Sequence, residues 1–115
     1  MNVEFPLFGF EKDDHSMFLI EKPERILYHL EAIDLENDEY LFWDSTGAGV
    51  RVSIVSGAVK IARCDQSMSV SQAFEAYSHS IGLSVGLQGS PIEIWARIQS
   101  QLPSRKPFWA RLFTR

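Results

Sequence analysis

The sequence of 115 residues contains a single cysteine, Cys64, and this excludes an intrachain disulfide and any zinc site built from several cysteines. A single cysteine is typical of a reducing compartment, so we expect a cytoplasmic location. Apolar runs of the roughly 20 residues that span a membrane are also lacking, and the first residues do not resemble a secretory leader. We therefore predict neither membrane insertion nor secretion.

Motifs that carry chemistry are equally scarce. His15, His29 and His79 are too scattered to form a recognisable metal-binding spacing. The glycine-containing stretch 44–49 lacks the lysine and the following helix of a phosphate-binding loop. We therefore predict no cofactor, no metal ion and no catalytic residue.

Acidic residues are missing from the C-terminal end. Residues 1–93 carry a formal charge of −9, whereas residues 94–115 carry five basic residues and no acid. An acidic body repels phosphate, so we expect no nucleic-acid binding. The last twelve residues combine cations with aromatics and are too short to form a stable helix alone. These patterns predict one domain over residues 1–103 and a basic aromatic tail over 104–115.

Strand patterns are present between residues 25 and 64. Three turn signals, at 36–39, 45–49 and 56–57, separate four runs rich in β-branched and aromatic residues, which predicts a four-stranded antiparallel meander. Its first strand is predicted to run from about residue 27 to Ile33. Upstream, residues 5–10 are predicted to form an edge strand or packed arm and 16–21 a short strand, and this arm is the expected cover for neighbouring aromatics.

Closing the turns with short loops predicts a register for the meander. Opposed pairs are expected to be Ile54 with Val59, Val52 with Ile61, and Trp43 with Val52. Because side chains alternate along a strand, this register places Trp43, Val52 and Ile54 on one face and Phe42 on the other.

Two helices are predicted after the meander. Ser69 and Gln72 form a capping box ahead of an apolar stripe, and Gly82 is placed to end that helix. Ser90, followed by Pro91 and Glu93, begins the second. The predicted fold is α+β: an antiparallel meander sheet of about four to six strands, with two C-terminal helices packed on the face that bears Trp43.

The outer sheet face and the tail are the predicted contact surfaces. An aromatic patch of this size is seldom left open on a monomer. The residues predicted to bind a partner are Ile33, Tyr40, Phe42 and Val55 on the sheet, with Arg105, Lys106, Phe108, Trp109, Arg111 and Phe113 in the tail. The leading hypothesis is a non-enzymatic protein-binding or adaptor module, whose partner is another protein or a second copy in a homodimer.

Two alternatives remain open. A cluster of Glu31, Asp44, Arg51 and His29 would make the chain a small hydrolase or ligand-binding domain, since neighbouring carboxylates perturb each other's pKa. The cationic, aromatic tail would alternatively attach the protein peripherally to an anionic membrane surface.

Overall fold

The computed structural model describes residues 3–30, Leu35 and residues 39–102, without the side chains of Tyr28 and His29. Five strands form one antiparallel sheet in the order β2-β1-β3-β4-β5, and the fold is α+β as predicted. The strands are β1 (Leu7–Glu11), β2 (Met17–Ile20), β3 (Tyr40–Trp43), β4 (Gly49–Val55) and β5 (Ala58–Arg63). The helices are a 3-10 turn (Pro23–Arg25), α1 (Ile26–His29), α2 (Val70–Ser80) and α3 (Pro91–Ser100).

Both predicted C-terminal helices are confirmed, together with their caps. The Ser69 hydroxyl accepts the Gln72 N–H at 3.1 Å, and the Gln72 side-chain oxygen accepts the Ser69 N–H at 2.8 Å. Ser90 and Glu93 make the same reciprocal pair at the start of α3. Each box satisfies two backbone groups that a helix end leaves without partners, so these short segments define where α2 and α3 begin.

The predicted first strand of the meander is wrong at its start. Residues 23–29 are helical, and the place beside β3 belongs to β1, which is therefore internal rather than an edge strand. Pro23 suits the first turn of a helix, and the buried Ile26 and Leu30 recur at helical spacing. Gly9 fits inside the sheet because the ring of Phe18 packs where a Cβ would stand.

The β4–β5 hairpin has the predicted register. Ile54 pairs with Val59 and Val52 with Ile61. Ser56 and Gly57 form the two-residue turn with φ values of 51° and 80°. Positive φ at both central residues is the mark of the type I′ turn, whose twist matches that of the flanking strands.

The predicted β3–β4 register is wrong by three residues. Trp43 pairs with Gly49, not with Val52, and Phe42 pairs with Val50. An odd shift turns every side chain of β4 over relative to β3. Val52 therefore lies on the Phe42 side of the sheet, although Trp43 and Phe42 themselves have the predicted, opposite orientations.

Each face of the sheet has its own apolar cluster. On one face Trp43, only 1% exposed, packs with Phe8 and Phe10 beneath α2 and α3. On the other, Phe42 packs with Ile26 and Leu30 and with a larger set: Leu7, Ile20, Leu35, Val50 and Val52. The chain thus covers much of its own outer face, part of which was predicted to contact a partner.

Candidate binding surface

The helical layer covers only half of the sheet. The cluster beneath α2 and α3 draws on β1, β2 and β3, and in the described part of the chain no residue of β4 or β5 belongs to it. The helix-side positions of β4 and β5 are left uncovered, and we call them the hairpin face: Arg51, Ser53, Val55, Ala58, Lys60 and Ala62. Val55 on this face is 50% exposed.

A cleft opens between β3 and β4, and we call it the strand cleft. The two strands pair at only two positions, Phe42 with Val50 and Trp43 with Gly49, and then diverge. The resulting space of about 470 Å³ has Tyr40–Phe42 on one wall and Val50–Ile54 on the other. Lys12 and Leu35 also line this space.

One end of the strand cleft is closed by Gln66. After β5 the chain crosses Gly49, where the Cys64 N–H donates to the Gly49 carbonyl at 3.0 Å. The Gln66 side-chain amide then donates to the carbonyls of Phe42 at 3.1 Å and Val50 at 2.9 Å. A side chain at position 49 would collide with this crossing segment, so glycine is needed there.

The backbone of β4 presents hydrogen-bonding groups to the cleft. The Val50 carbonyl points toward β3, where it accepts from Gln66, whereas the Gly49 carbonyl points toward β5. Successive residues of a strand point their backbone groups in opposite directions. The N–H and C=O groups of Val52 and Ile54 therefore face the cleft, and within residues 3–30 and 39–102 no strand pairs with them on that side.

The predicted contact residues do not form one surface. Tyr40 is half-buried and Phe42 is 3% exposed, and the N-terminal arm covers both as expected, since the Phe18 ring centroid lies 5.7 Å and 6.4 Å from theirs. Val55 lies on the opposite face of the sheet. The other predicted residues lie outside the described residues: Ile33, Arg105, Lys106, Phe108, Trp109, Arg111 and Phe113.

The alternative carboxylate cluster is not assembled around Asp44. A nitrogen of Arg63 lies 3.8 Å from the Asp44 carboxylate, while Arg51 points to the other face of the sheet. Glu31 lies outside the described residues, and only the backbone of His29 is described, in α1. The predicted grouping of Asp44 with Arg51 is therefore wrong.

Asp44 instead holds the β3–β4 turn. Its side chain is 0% exposed; one oxygen accepts from the Thr46 N–H and hydroxyl at 2.9 and 2.6 Å and from the Ala48 N–H at 3.2 Å. The other oxygen accepts from the Glu4 N–H at 3.2 Å. Burial raises the pKa of Asp44, but these hydrogen bonds together lower it by more than burial raises it. The net pKa therefore lies below its usual value. An ionised, enclosed carboxylate suits a turn rather than acid–base chemistry.

Gln66 and Lys60 are the site residues that sequence reasoning missed. A tight turn at 44–48, signalled by Asp44 two residues before Thr46, would have set the correct β3–β4 register. With that register, Lys60 lies on the helix side of the sheet. No local signal marks Gln66, because its partners Phe42 and Val50 are 24 and 16 residues away in the sequence.

Comparison with known proteins adds no assignment to this surface. No protein-family model matches the chain, and neither a curated protein nor a solved structure does. Among the described residues, no three histidine, cysteine, aspartate or glutamate side chains are grouped to hold a metal ion. No described helix is both long enough and apolar enough to cross a membrane.

Proposed function

We propose that this protein is a non-enzymatic protein-binding module that contacts its partner through the hairpin face and the adjoining strand cleft. The observation that carries the proposal is the incomplete helical layer, which leaves Val55 half exposed on the same side as the buried Trp43. An exposed apolar patch that is bordered by polar residues is a common feature of protein contacts.

The chemistry of the hairpin face favours an acidic partner. Val55 and Ala58 form an apolar pair at the turn end of this face, and the exposed Lys60 and Arg51 follow along it, with Ala62 beside Arg51. No described acid forms an ion pair with either cation. Protein interfaces combine apolar contacts with charged residues at their border, and these charges raise the association rate of an oppositely charged partner.

The tail is proposed as a second contact with the same partner. Residues 104–115 carry four cations and no acid, so they favour the same acidic surface as Arg51 and Lys60. A six-residue hairpin face is small for a stable interface, and a second attachment would raise the overall affinity without new contacts at the first. We propose a reducing, cytoplasmic setting, consistent with the single Cys64, and a partner that is another protein or a second copy of the chain.

The experiment is co-purification from the native cell with matched surface variants. Val55→Asp places a charge on the hairpin face. Leu27→Asp is the control: it places a charge on α1, at a side chain that is 51% exposed, close to the 50% of Val55. We expect the protein that co-purifies with the wild type to be lost with Val55→Asp, retained with Leu27→Asp and reduced on deletion of residues 104–115. Sedimentation velocity of the purified chain identifies self-association.

The proposal is wrong if the partner is captured equally by wild type and Val55→Asp while Leu27→Asp loses it. It is also wrong if neither variant changes what co-purifies, because the hairpin face then makes no contact. Near-UV circular dichroism of both variants checks that the substitutions leave the fold intact.

A further inference from the structure

We propose that the strand cleft binds an extended segment of an acidic partner, which adds to the inner edge of β4 as a further strand. This inference deepens the proposed function, on which it rests, because it states how the partner is held. Three features of the described residues carry it: the direction of the β4 backbone, the side chains on the two faces of the cleft, and the position of Gln66.

The backbone of β4 supplies the hydrogen bonds. Val52 and Ile54 direct their N–H and C=O groups into the cleft, whereas Arg51, Ser53 and Val55 use theirs to pair with β5. Unpaired strand edges attract extended peptides, and the resulting main-chain bonds provide affinity without demanding a particular sequence.

Side chains above and below the cleft select the sequence of that segment. Arg51 projects on the helix side, and Val52 and Ile54 project on the opposite side near Tyr40. Because side chains of a strand alternate between faces, an added strand would place one residue beside Arg51 and the next on that side beside Ser53, while the residues between them lie beside the apolar group. A segment with an acidic residue beside Arg51 and apolar residues at the alternate positions fits both faces.

Gln66 limits how far the added strand extends. Its amide already occupies the carbonyls of Phe42 and Val50, so pairing begins at Val52 and proceeds toward Val55. The chain's own tail is a poor occupant, since its four cations would meet Arg51. Charge complementarity therefore assigns the cleft to an acidic segment of the partner.

A first test needs only the free protein. Amide hydrogen exchange measured by NMR is expected to be at least tenfold faster at Val52 and Ile54 than at Arg51 and Ser53, because only the latter N–H groups bond to β5. Equal protection at all four amides would mean that the β4 edge is already paired, and this would overturn the inference.

The second test uses a phage library of random octapeptides selected on the full chain. The matched variants are Ile54→Pro and Val59→Pro, which remove an N–H from cross-strand neighbours of the same face. Proline at 54 removes a donor that faces the cleft, whereas proline at 59 removes one that faces outward from β5. We expect enriched peptides to carry an acidic residue with apolar residues at the alternate positions, to bind Val59→Pro like wild type, and to bind Ile54→Pro roughly tenfold more weakly, the effect of one lost backbone bond with its neighbours.

The outcomes separate this inference from the function on which it rests. Absence of enriched peptides, or peptides that bind Ile54→Pro and wild type equally, would overturn the strand addition while a partner that depends on Val55 still supports the binding module. If peptide binding does not depend on Ile54 and partner capture does not depend on Val55, both the strand addition and the binding module are overturned. If Ile54→Pro fails to fold, the test is hydrogen exchange in the wild-type protein with the selected peptide bound. The peptide must then slow exchange at the Val52 and Ile54 amides and not at the Val59 amide. Unchanged exchange at Val52 and Ile54 counts against the inference.

Discussion

Replacing Asp44 with alanine is expected to destabilise the protein by about 3 kcal/mol. The carboxylate accepts three backbone N–H groups, from Glu4, Thr46 and Ala48, and the Thr46 hydroxyl. A hydrogen bond to a charged group contributes roughly 1.5–3 kcal/mol when buried. We take about 1 kcal/mol for each N–H because the donors lie at residues that are partly exposed, and nothing for Arg63, whose side chain is 49% exposed.

The measurement is urea unfolding followed by far-UV circular dichroism. With a slope of about 2 kcal/mol/M, a loss of about 3 kcal/mol lowers the midpoint by roughly 1.5 M. Asp44→Asn should lose about half as much, because its carbonyl oxygen can still accept while its amide donor would face the Glu4 N–H. Asp65→Ala removes an exposed acid nearby and is expected to change the stability by less than about 0.5 kcal/mol.

The effect of Asp44 should also depend on pH. Its folded-state pKa lies below the usual value of 3.8, so its ionised form stabilises the folded state. That contribution is fully present above the unfolded-state pKa and is lost as the pH falls through the lowered, folded-state pKa. The stability difference between wild type and Asp44→Asn should therefore shrink on acidification below about pH 4. An Asp44→Ala protein within about 1 kcal/mol of wild type at pH 7, or a difference that is constant down to about pH 2.5, would refute the reasoning.

Two further substitutions test the crossing at β4 and the start of α2. Gly49→Ala should destabilise the fold by about 1–3 kcal/mol, because its Cβ would lie under 3.0 Å from the Cys64 backbone oxygen, which cannot move freely. The control Gly86→Ala, where only the end of a side chain is close, should unfold near the wild-type urea midpoint. Equal midpoints for both variants would contradict the crossing. Ser69→Ala should lower the free energy of unfolding by about 1 kcal/mol, because it removes a helix cap. Ser71→Ala, in the first turn of α2, should leave the stability unchanged. A thermal melt that ranks the two variants in the reverse order would contradict the cap.

Local patterns were sufficient for the hairpin and the two long helices. The Ser56–Gly57 turn joins strands that are neighbours in the sequence, so its register follows from a few adjacent residues. The capping boxes at Ser69 and Ser90 likewise join groups only three residues apart. Interactions of such short range can be identified from residue types and spacing, because no distant part of the chain decides between alternatives.

Only the tertiary structure decided how the strands were arranged and which surface was left open. β1 pairs with β3 about thirty residues away, and the apolar run around Ile26 satisfies either a helix or a strand until its packing partners are known. The same holds for the candidate site: Val55 was predicted on the same face as Phe42, but a shift of three residues between β3 and β4 places it on the opposite face. A sheet face is set by the parity of its register, and that parity depends here on a buried turn at Asp44 and on a crossing segment after β5, which residue spacing alone does not determine.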